Sequence, residues 1–371
     1  MSYDEAITMT ELCRAVKECR KDVSYKDGVT SWYVHRLTRA ESLHRDLKAK
    51  RYKLRPGTKV QIYRPKRREA VAPFFRDRVW QRSMCNNGVY HDLTKSLIYD
   101  NVCCQKGKGS DMAIRRVIKF LQKLVREGAE KPIYGVHLDI RKYFPSTPQR
   151  LVKELDRQKI ADERFLPFLD ELIDSMKDER DEGDIALDPF GRRGTGLGAQ
   201  INQLHQIALI DALDHRLKCF CKYYIRYNDD FLILDHDRAV VERARKTIKE
   251  YLQTIGLEMT DKSGVFTVQK NGFYFMRKRF IVTKTGKVVI RLHKKALHDE
   301  RKTLKGLKRR VLRGERTMAD VQRHYQSWVA SASYAGDAPI REMDKFYTEL
   351  FRQHPQYKLK KRYLYGNRKR S

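Results

Sequence analysis

The chain has 371 residues, of which 41% are hydrophobic and 34% are charged, so it is long and apolar enough for two or three packed lobes. Its 79 Lys and Arg residues against 47 Asp and Glu residues give a formal net charge of +32, which favours a nucleic-acid partner. No segment approaches the roughly 20 apolar residues of a membrane span, and the first residues lack a signal-peptide pattern. We therefore expect a cytoplasmic protein without membrane contact.

Seven cysteines occur in the chain: Cys13, Cys19, Cys85, Cys103, Cys104, Cys219 and Cys221. They form no paired C-x-x-C units and have no H-x-x-x-H partner. Neither a zinc site nor a disulfide framework is therefore indicated, and we expect free thiols.

An amphipathic helix is the first element with a clear pattern. In residues 113–128, apolar side chains recur every three or four positions, basic side chains lie opposite them, and Gly128 ends the pattern. Residues 133–140 then alternate between apolar and other side chains, which is typical of a strand with one apolar face. Asp139 lies on the other face of this predicted strand.

Helical patterns and a loop follow this strand. Residues 150–177 have helical periodicity, the Gly- and Asp-rich stretch 178–194 is typical of a loop, and a helix is predicted over 200–217. Residues 221–234 are two β-rich runs around Asn228 and Asp229, the pattern of a hairpin with a polar turn. Asp229 and Asp230 would lie at the tip of that hairpin.

The last third of the chain begins with strands and becomes helical. Residues 266–292 are predicted strands broken at Asn271-Gly272 and Thr285-Gly286. Residues 293–314 have helical spacing and many basic side chains, so this helix is either a solvated surface or a contact to a phosphate backbone. From His354 to Ser371 the chain is basic with three tyrosines and no acid, which is typical of a flexible arm or of a segment that folds onto RNA.

Three carboxylates, those of Asp139, Asp229 and Asp230, are candidates for chemistry. Carboxylates beside apolar strands repel one another and lose hydration, so bound divalent metal is a strong reason for such a cluster to persist. Hard cations such as Mg²⁺ prefer these oxygen ligands, and two such ions would support nucleotidyl transfer. Taken alone, the YNDD string would more simply be a polar turn.

The order of several sequence blocks resembles the reverse transcriptase family. LDIRKYF (138–144) is similar to the first catalytic block, GTGLGAQINQ (194–203) to a block that supports template and nucleotide, and YNDD (227–230) to the Y-x-D-D hairpin. The blocks REAVAPFFRDRVWQ (68–81), KGKGSDMAI (106–114) and NGFYFMRKRF (271–280) resemble fingers, pre-palm and primer-grip segments. The resemblance covers about residues 60–335, and chance agreement of ordered blocks is improbable.

The resemblance implies a set of site residues. It makes Asp139, Asp229 and Asp230 the catalytic and metal-binding triad for two Mg²⁺ ions, with Mn²⁺ as an alternative ion and the carbonyl of Ile140 as a further ligand. The implied nucleotide-binding residues include Phe144 as a steric gate against ribose, and they are Arg68, Lys66, Phe144, Gly198, Gln203 and Lys262. The implied primer and template contacts are Tyr227, Phe273, Tyr274, Lys294 and Lys295.

The resemblance also implies a fold and lobes. We expect an α+β fold of the right-hand polymerase type, with fingers, a palm built on antiparallel sheet and helices, and a helical thumb. The expected lobes are an N-terminal extension with fingers (1–132), a palm (133–290) with a helical fingers insertion at about 151–190, a thumb (291–353) and a basic tail (354–371).

The function implied is RNA-directed DNA synthesis by a bacterial reverse transcriptase that resembles diversity-generating retroelement, defence-associated and group II-like enzymes. The setting implied is a diversity-generating retroelement or a phage-defence system, with a retron as the third alternative. The expected partners are a structured template RNA, the RNA/DNA duplex and dNTPs, and an accessory protein subunit is left open. Two alternatives are an idle RNA-binding scaffold and a template-independent or RNA-synthesising polymerase. Gly196, Asn202 and Asn228 depart from the family's usual residues, which concerns fidelity and nucleotide preference.

Overall fold

The computed structural model describes residues 2–21, 23, 26–62 and 68–354, with the side chain of Arg68 left out. Within these residues the chain divides into two compact units. The first unit takes its residues from 1–116 and 136–265, and the second from 117–135 and 266–371. The predicted basic tail, from 354 onward, lies outside the described residues except for His354.

The described chain contains both helices and sheets and groups several of its helices in succession, so the predicted α+β class is confirmed in its coarse form, with antiparallel pairing in each sheet. The helices are α1 Tyr3–Ala6, α2 Met9–Arg20, α3 Asp27–Val34, α4 Arg36–Lys48, α5 Phe75–Met84, α6 Tyr90–Thr94, α7 Ser110–Glu127, α8 Tyr143–Ser146, α9 Gln149–Lys159, α10 Leu166–Asp174, α11 Glu182–Leu187, α12 Gln200–Leu209, α13 Asp211–Lys218, α14 Arg238–Thr254, α15 Val268–Asn271, α16 Ala296–Leu312, α17 Met318–Ala332 and α18 Ala338–Phe351. The strands are β1 Thr58–Ile62, β2 Arg68–Ala72, β3 Tyr134–Ile140, β4 Tyr223–Tyr227, β5 Asp230–Asp235, β6 Met259–Thr267, β7 Phe273–Phe275, β8 Lys278–Val282 and β9 Val288–Leu292.

The core of the first unit is built on apolar faces of helices. The side chain of Trp80 in α5 is 1% exposed and lies edge-on to Tyr3 and to Phe168, with ring centroids 5.7 and 6.0 Å away. Leu12 in α2 and Leu43 in α4 are fully buried in the same cluster. Burying aromatic and branched side chains in this way supplies most of the driving force for packing these helices.

A four-stranded sheet, in the order β4-β5-β3-β6, carries the candidate site. Strands β4 and β5 pair in antiparallel register from Tyr223 opposite Leu234 to Tyr227 opposite Asp230. Residues 228 and 229 therefore form a two-residue turn, and the hairpin predicted over 221–234 is confirmed. Strand β3 was also predicted, and its side chains alternate as expected, with Val136, Leu138 and Ile140 buried.

A separate two-stranded hairpin, β1-β2, precedes α5. The Val71 amide in β2 donates a hydrogen bond to the Leu197 carbonyl at 2.7 Å, which brings the loop after α11 against this hairpin. The loop continues through Gly198 into α12.

The second unit contains the sheet β7-β8-β9 and helices α15 to α18. Its helical core includes Tyr325 and Tyr347, whose rings stack with centroids 4.6 Å apart, and Met343, which is fully buried. Helix α17 begins at a capping box in which Thr317 and Asp320 satisfy each other's backbone amides, as the T-x-x-D pattern favours. The helix predicted after residue 293 is confirmed as α16.

Four details of the predicted elements were wrong. The stretch predicted as a loop, 178–194, contains the short helix α11, and the helix predicted over 200–217 is two helices, because Ile210 has φ −110° and ψ 25°. Residues 268–271, predicted as strand, form helix α15 and end at Gly272 with φ 64°. An extra turn at Met276 and Arg277, both with positive φ, separates β7 from β8.

No helix in the described part of the chain is long and apolar enough to cross a membrane. All seven cysteines lie within the described residues and are free thiols, as expected.

Candidate active site

The three predicted catalytic carboxylates belong to two neighbouring elements of the central sheet. Asp139 is the penultimate residue of β3, Asp229 is the second turn residue of the β4-β5 hairpin, and Asp230 begins β5. The Ile140 amide donates a hydrogen bond to the Asp229 carbonyl at 3.2 Å, which fastens the end of β3 to the hairpin tip. The structure therefore brings the triad together where β3 ends and β5 begins.

Asn228 gives the hairpin its tight turn. Its φ is 55°, in the left-handed region that asparagine tolerates better than most residues and that a small apolar residue would adopt at a cost. Its backbone carbonyl accepts a hydrogen bond from Arg226 Nη1 at 3.0 Å, and its side-chain Nδ2 donates to Asp229 Oδ1 at 3.3 Å. Asparagine at this position therefore suits the geometry of the turn.

The carboxylates at the tip of the β4-β5 hairpin interact electrostatically. The pKa of Asp229 is raised to about 6, first by burial and then by the negative charges of Asp139 and Asp230. For Asp230, burial acts to raise the pKa, but hydrogen bonds from His137 and Lys262 lower it below its ordinary value. Burial and neighbouring negative charge thus disfavour the ionised form of Asp229, whereas the hydrogen bonds from His137 and Lys262 stabilise the ionised form of Asp230.

Lys262, from β6, lies between two of the carboxylates. Its Nζ is 3.1 Å from Asp139 Oδ2 and also contacts Asp230 Oδ1. The two carboxylates raise the pKa of this lysine against the effect of burial, so it remains a cation. Lys262, predicted as a nucleotide-binding residue, is therefore next to the triad and neutralises part of its charge.

His137 was not predicted as a site residue. Its Nε2 lies 3.2 Å from Asp230 Oδ1, and its amide donates to Ser263 Oγ at 3.0 Å. The signal was present in the sequence, because residues two apart in a strand share a face and Asp139 follows His137 at that spacing.

A fully buried ion pair beneath the hairpin was also missed. Arg226 in β4 and Asp214 in α13 are both 0% exposed and lie 2.6 Å apart between Nη2 and Oδ2. Arg226 also donates to the Ile207 carbonyl at 2.7 Å, and Tyr224 donates its hydroxyl to Asp214 at 2.5 Å. This network joins α12, α13 and the turn at Asn228, so it fixes the position of the hairpin tip.

The donor set at the tip fits a hard divalent cation. Asp139 Oδ1 is buried and has no hydrogen-bond partner among the described residues, so the lone pairs of this oxygen are available to a ligand. No group of three His, Cys, Asp or Glu side chains among the described residues is arranged to hold a metal ion, and the Lys262 ammonium lies between Asp139 and Asp230. Metal would therefore have to displace this ammonium.

Phe144 and Gln203, predicted to contact nucleotide, are accessible side chains of the first unit. Phe144 in α8 is only half-buried, and its carbonyl accepts a hydrogen bond from the Thr195 amide at 3.1 Å. Gln203 in α12 is exposed, and its Oε1 accepts from Cys104 Sγ at 3.4 Å. The backbone of Arg68 pairs with Ile62 in the β1-β2 hairpin, whereas Lys66 lies outside the described residues.

Gly198 has a structural reason to be glycine. Its φ is 130°, and a Cβ there would lie 2.0 Å from the Val71 carbonyl oxygen in β2. Gly198 is one of the predicted nucleotide-binding residues, and a glycine permits close approach of the backbone to a ligand, but the close approach in the structure is to a strand of the same unit. Asn202, which stands where serine is usual, is buried and donates to the Thr195 and Gly196 carbonyls, so it holds the same loop.

The predicted primer and template residues differ in accessibility. Tyr227, in β4, is half-buried, and burial raises its pKa to about 12. Phe273 is 5% exposed and stacks on Phe266 and Phe280 at 5.3 Å each, so its ring packs within the second unit, and its contact to a primer stays a prediction. Tyr274 is 38% exposed. Lys294 and Lys295 are exposed, directly before α16.

Neither a protein-family model nor a curated protein matches the chain. Solved structures with a similar fold include telomerase from Candida albicans in complex with a TWJ fragment of telomeric RNA, at 12% identity and a TM-score of 0.49, covering 87% of this chain and 60% of that chain. Apo telomerase from Candida tropicalis has 11% identity and a TM-score of 0.47, covering 80% and 58%. This chain thus spans less than two thirds of the length of these telomerase chains.

Proposed function

We propose that the chain is an RNA-directed DNA polymerase. The observation that supports this proposal is the convergence of Asp139, Asp229 and Asp230 at the tip of the β4-β5 hairpin, with a buried, unpartnered carboxylate oxygen on Asp139. Nucleotidyl transfer needs such a cluster of acids to position divalent metal. The proposed lobes are those expected from the sequence: fingers, a palm that contains the three acids, and a thumb.

In this proposal each group at the tip has a part in handling phosphate. Two Mg²⁺ ions, when bound by Asp139, Asp229, Asp230 and the Ile140 carbonyl, would activate the primer hydroxyl and stabilise charge on the phosphoryl group. Lys262, which is cationic beside Asp139 and Asp230, would turn toward the triphosphate and donate a proton to the leaving pyrophosphate. Arg226 and Asp214 would hold the hairpin tip in place while these groups move.

The proposed partners are polyanions. Because the chain has a formal charge of +32 on 371 residues, the protein would bind a structured template RNA and the RNA/DNA duplex through their phosphates. This binding would weaken as the salt concentration increases. The proposed substrates are dNTPs. An accessory protein subunit and a bacterial retroelement or phage-defence setting are further parts of the proposal, and sequencing of the nucleic acid that co-purifies with the protein would identify the setting.

We expect Phe144→Ala to raise the use of ribonucleotides relative to deoxynucleotides by about tenfold, because the half-buried ring would occupy the space of a ribose 2′-hydroxyl. The measurement is single-nucleotide incorporation with rNTP and dNTP in parallel. Phe220→Ala is the matched control, since Phe220 is also half-buried but lies at the other end of β4 from the tip. An unchanged rNTP/dNTP ratio would mean that Phe144 is a packing residue and not a steric gate.

We expect Lys262→Met to strengthen Mn²⁺ binding by about tenfold, because the ammonium and the metal compete for Asp139 and Asp230. The measurement is a Mn²⁺ titration of the protein without nucleotide, followed by electron paramagnetic resonance. Lys249→Met, an exposed lysine on α14, is the control. Equal affinity in all three proteins would mean that Lys262 does not compete with metal.

A second candidate is an RNA-binding scaffold without turnover. Its support is that Lys262 already contacts two of the three carboxylates and neutralises part of their charge, so the tip has a cation of its own. The two candidates differ in metal binding, since a scaffold would bind RNA equally with and without Mn²⁺ and would show no Mn²⁺ site that depends on Asp139 or Asp229.

A further inference from the structure

Two adjacent thiols, Cys103 and Cys104, are on the same side of the chain. Successive side chains of an extended backbone point in opposite directions, but Cys104 has φ 54°, a left-handed conformation that turns the chain. The two Sγ atoms are 3.2 Å apart as a result. The backbone thus holds a pair of neighbouring cysteines with their sulfurs in contact.

The two thiols differ in access. Cys103 is 6% exposed, whereas Cys104 is only half-buried and lines a cavity of about 350 Å³. Arg78 and Arg82 line the same cavity. A small reagent from solvent would therefore reach Cys104 first.

The pKa of Cys104 also distinguishes this pair from two buried thiols, Cys85 and Cys221. The hydrogen bond from Cys103 lowers the pKa of Cys104, against the effect of burial, while Cys103 keeps its proton. Burial raises the pKa of Cys85 and of Cys221 to about 12, which keeps these thiols protonated and unreactive. An accessible sulfur with thiolate character thus lies beside a second sulfur.

We propose that Cys103 and Cys104 form an oxidation site at which a peroxide converts the two thiols into a disulfide between adjacent residues. The Cys104 thiolate attacks one peroxide oxygen, the O–O bond breaks, and a sulfenic acid and hydroxide form. The Cys103 sulfur then attacks the sulfenic sulfur, the S–S bond forms and hydroxide leaves. With the thiol protons taken up, two thiols and one hydrogen peroxide give one disulfide and two waters.

Such a disulfide would be readily reversed. Adjacent Cα atoms are about 3.8 Å apart, shorter than the roughly 4.4 to 6.8 Å that disulfides usually span. The ring would be strained, and strained disulfides have the higher reduction potentials that are typical of labile and regulatory bonds. A dithiol reductant would restore the two thiols.

Oxidation would change contacts at two predicted nucleic-acid residues. Cys103 and Tyr227 lie close enough for each to shift the pKa of the other, and Gln203 Oε1 accepts a hydrogen bond from Cys104 Sγ at 3.4 Å. Both contacts use thiols that a disulfide would consume. Only the next consequence rests on the proposed polymerase function. Peroxide would slow primer extension, and dithiothreitol would restore it.

The test is peptide mapping of the full-length protein after brief treatment with hydrogen peroxide, followed by alkylation and trypsin. The tryptic peptide 96–106 contains Cys103 and Cys104 and no other cysteine, and the peptide 1–14 contains only Cys13. We expect peptide 96–106 to become lighter by two hydrogen atoms, to resist alkylation, and to recover with dithiothreitol. Its thiols should disappear about tenfold faster than Cys13.

Cys104→Ser should leave Cys103 alkylatable after the same treatment, because the accessible sulfur is gone. Three results would overturn the proposal: both thiols in 96–106 remaining alkylatable at the rate of Cys13, oxidation to sulfinic acid without a disulfide, or a cross-link to the peptide 18–20 that contains Cys19. The mapping reports on the thiols alone, so its outcome is independent of whether the protein polymerises DNA.

Discussion

We expect Asp229→Asn to lower the rate of primer extension on an RNA template by roughly 10³-fold or more, the scale on which removal of one essential charged group acts. Asp229 is the most perturbed acid at the hairpin tip, with a pKa raised to about 6 by burial and by the charges of Asp139 and Asp230. An amide would keep its shape and its neighbours but would provide one fewer anionic ligand. The measurement is the single-turnover rate in Mg²⁺ with dNTPs.

The same variant should bind RNA with nearly the affinity of the unaltered protein, since phosphate contacts come from Lys and Arg and not from this acid. Asp184→Asn is the control, because Asp184 is an exposed aspartate of α11 away from the strands of the site. If Asp229→Asn extends primers at the wild-type rate, the catalytic assignment of the hairpin tip is wrong.

Asp214→Asn should destabilise the protein by about 3 to 5 kcal/mol, the usual cost of removing one partner of a buried ion pair. Asp214 and Arg226 are both 0% exposed, so the Arg226 charge would be left in the interior without its counterion. Tyr224 and Asn101 donate to different oxygens of Asp214, so one of the two would also lose its acceptor when an NH2 group replaces that oxygen. The measurement is the free energy of unfolding in urea at neutral pH.

A double variant separates the two costs in this prediction. Replacing both partners with apolar residues, as in Asp214→Leu with Arg226→Met, removes the buried charge entirely and should recover much of the lost stability. Asp211→Asn is a partial control, because Asp211 lies in the same helix and pairs with Lys159 near the surface. Equal stability of Asp214→Asn and wild type would contradict the role given to this pair.

The sequence was most informative where the periodicity was regular. The hairpin around Asn228 and Asp229, the strand that carries Asp139, and the basic helix α16 follow from alternation or helical spacing within one segment. Each of these elements buries one face, so its own pattern determines its conformation. The convergence of Asp139 with Asp229 and Asp230 was then expected from the block resemblance, and the hydrogen bond from Ile140 to the Asp229 carbonyl supplies its geometry.

Local breaks in the helices and strands were harder to predict. Residues 268–271 have no strong helical signal, but they form α15, whose Val268 amide donates to the Ile133 carbonyl at 2.8 Å, a contact 135 positions away in the chain. The break at Ile210 likewise depends on the buried packing of α12 and α13 and not on a proline or glycine. Long-range contacts of this kind override local propensity.

Individual roles were the least predictable part of the site. Pairing of Arg226 with Asp214 depends on α13 packing beneath β4, which no spacing in the sequence indicates. Gly198 is glycine because of the Val71 carbonyl in another segment, and Phe273 is a core ring because β7 and β8 stack it on Phe280. In each case a residue type consistent with nucleic-acid contact was needed for packing.

The most direct test of the central claim is extension of a DNA primer on a defined RNA template by the purified protein, with Mg²⁺ and with each dNTP omitted in turn. The account predicts DNA complementary to the template, stopping where the omitted nucleotide is required, and no product from Asp229→Asn. Product whose sequence ignores the template, or equal product from Asp229→Asn, would contradict an RNA-directed DNA polymerase centred on Asp139, Asp229 and Asp230.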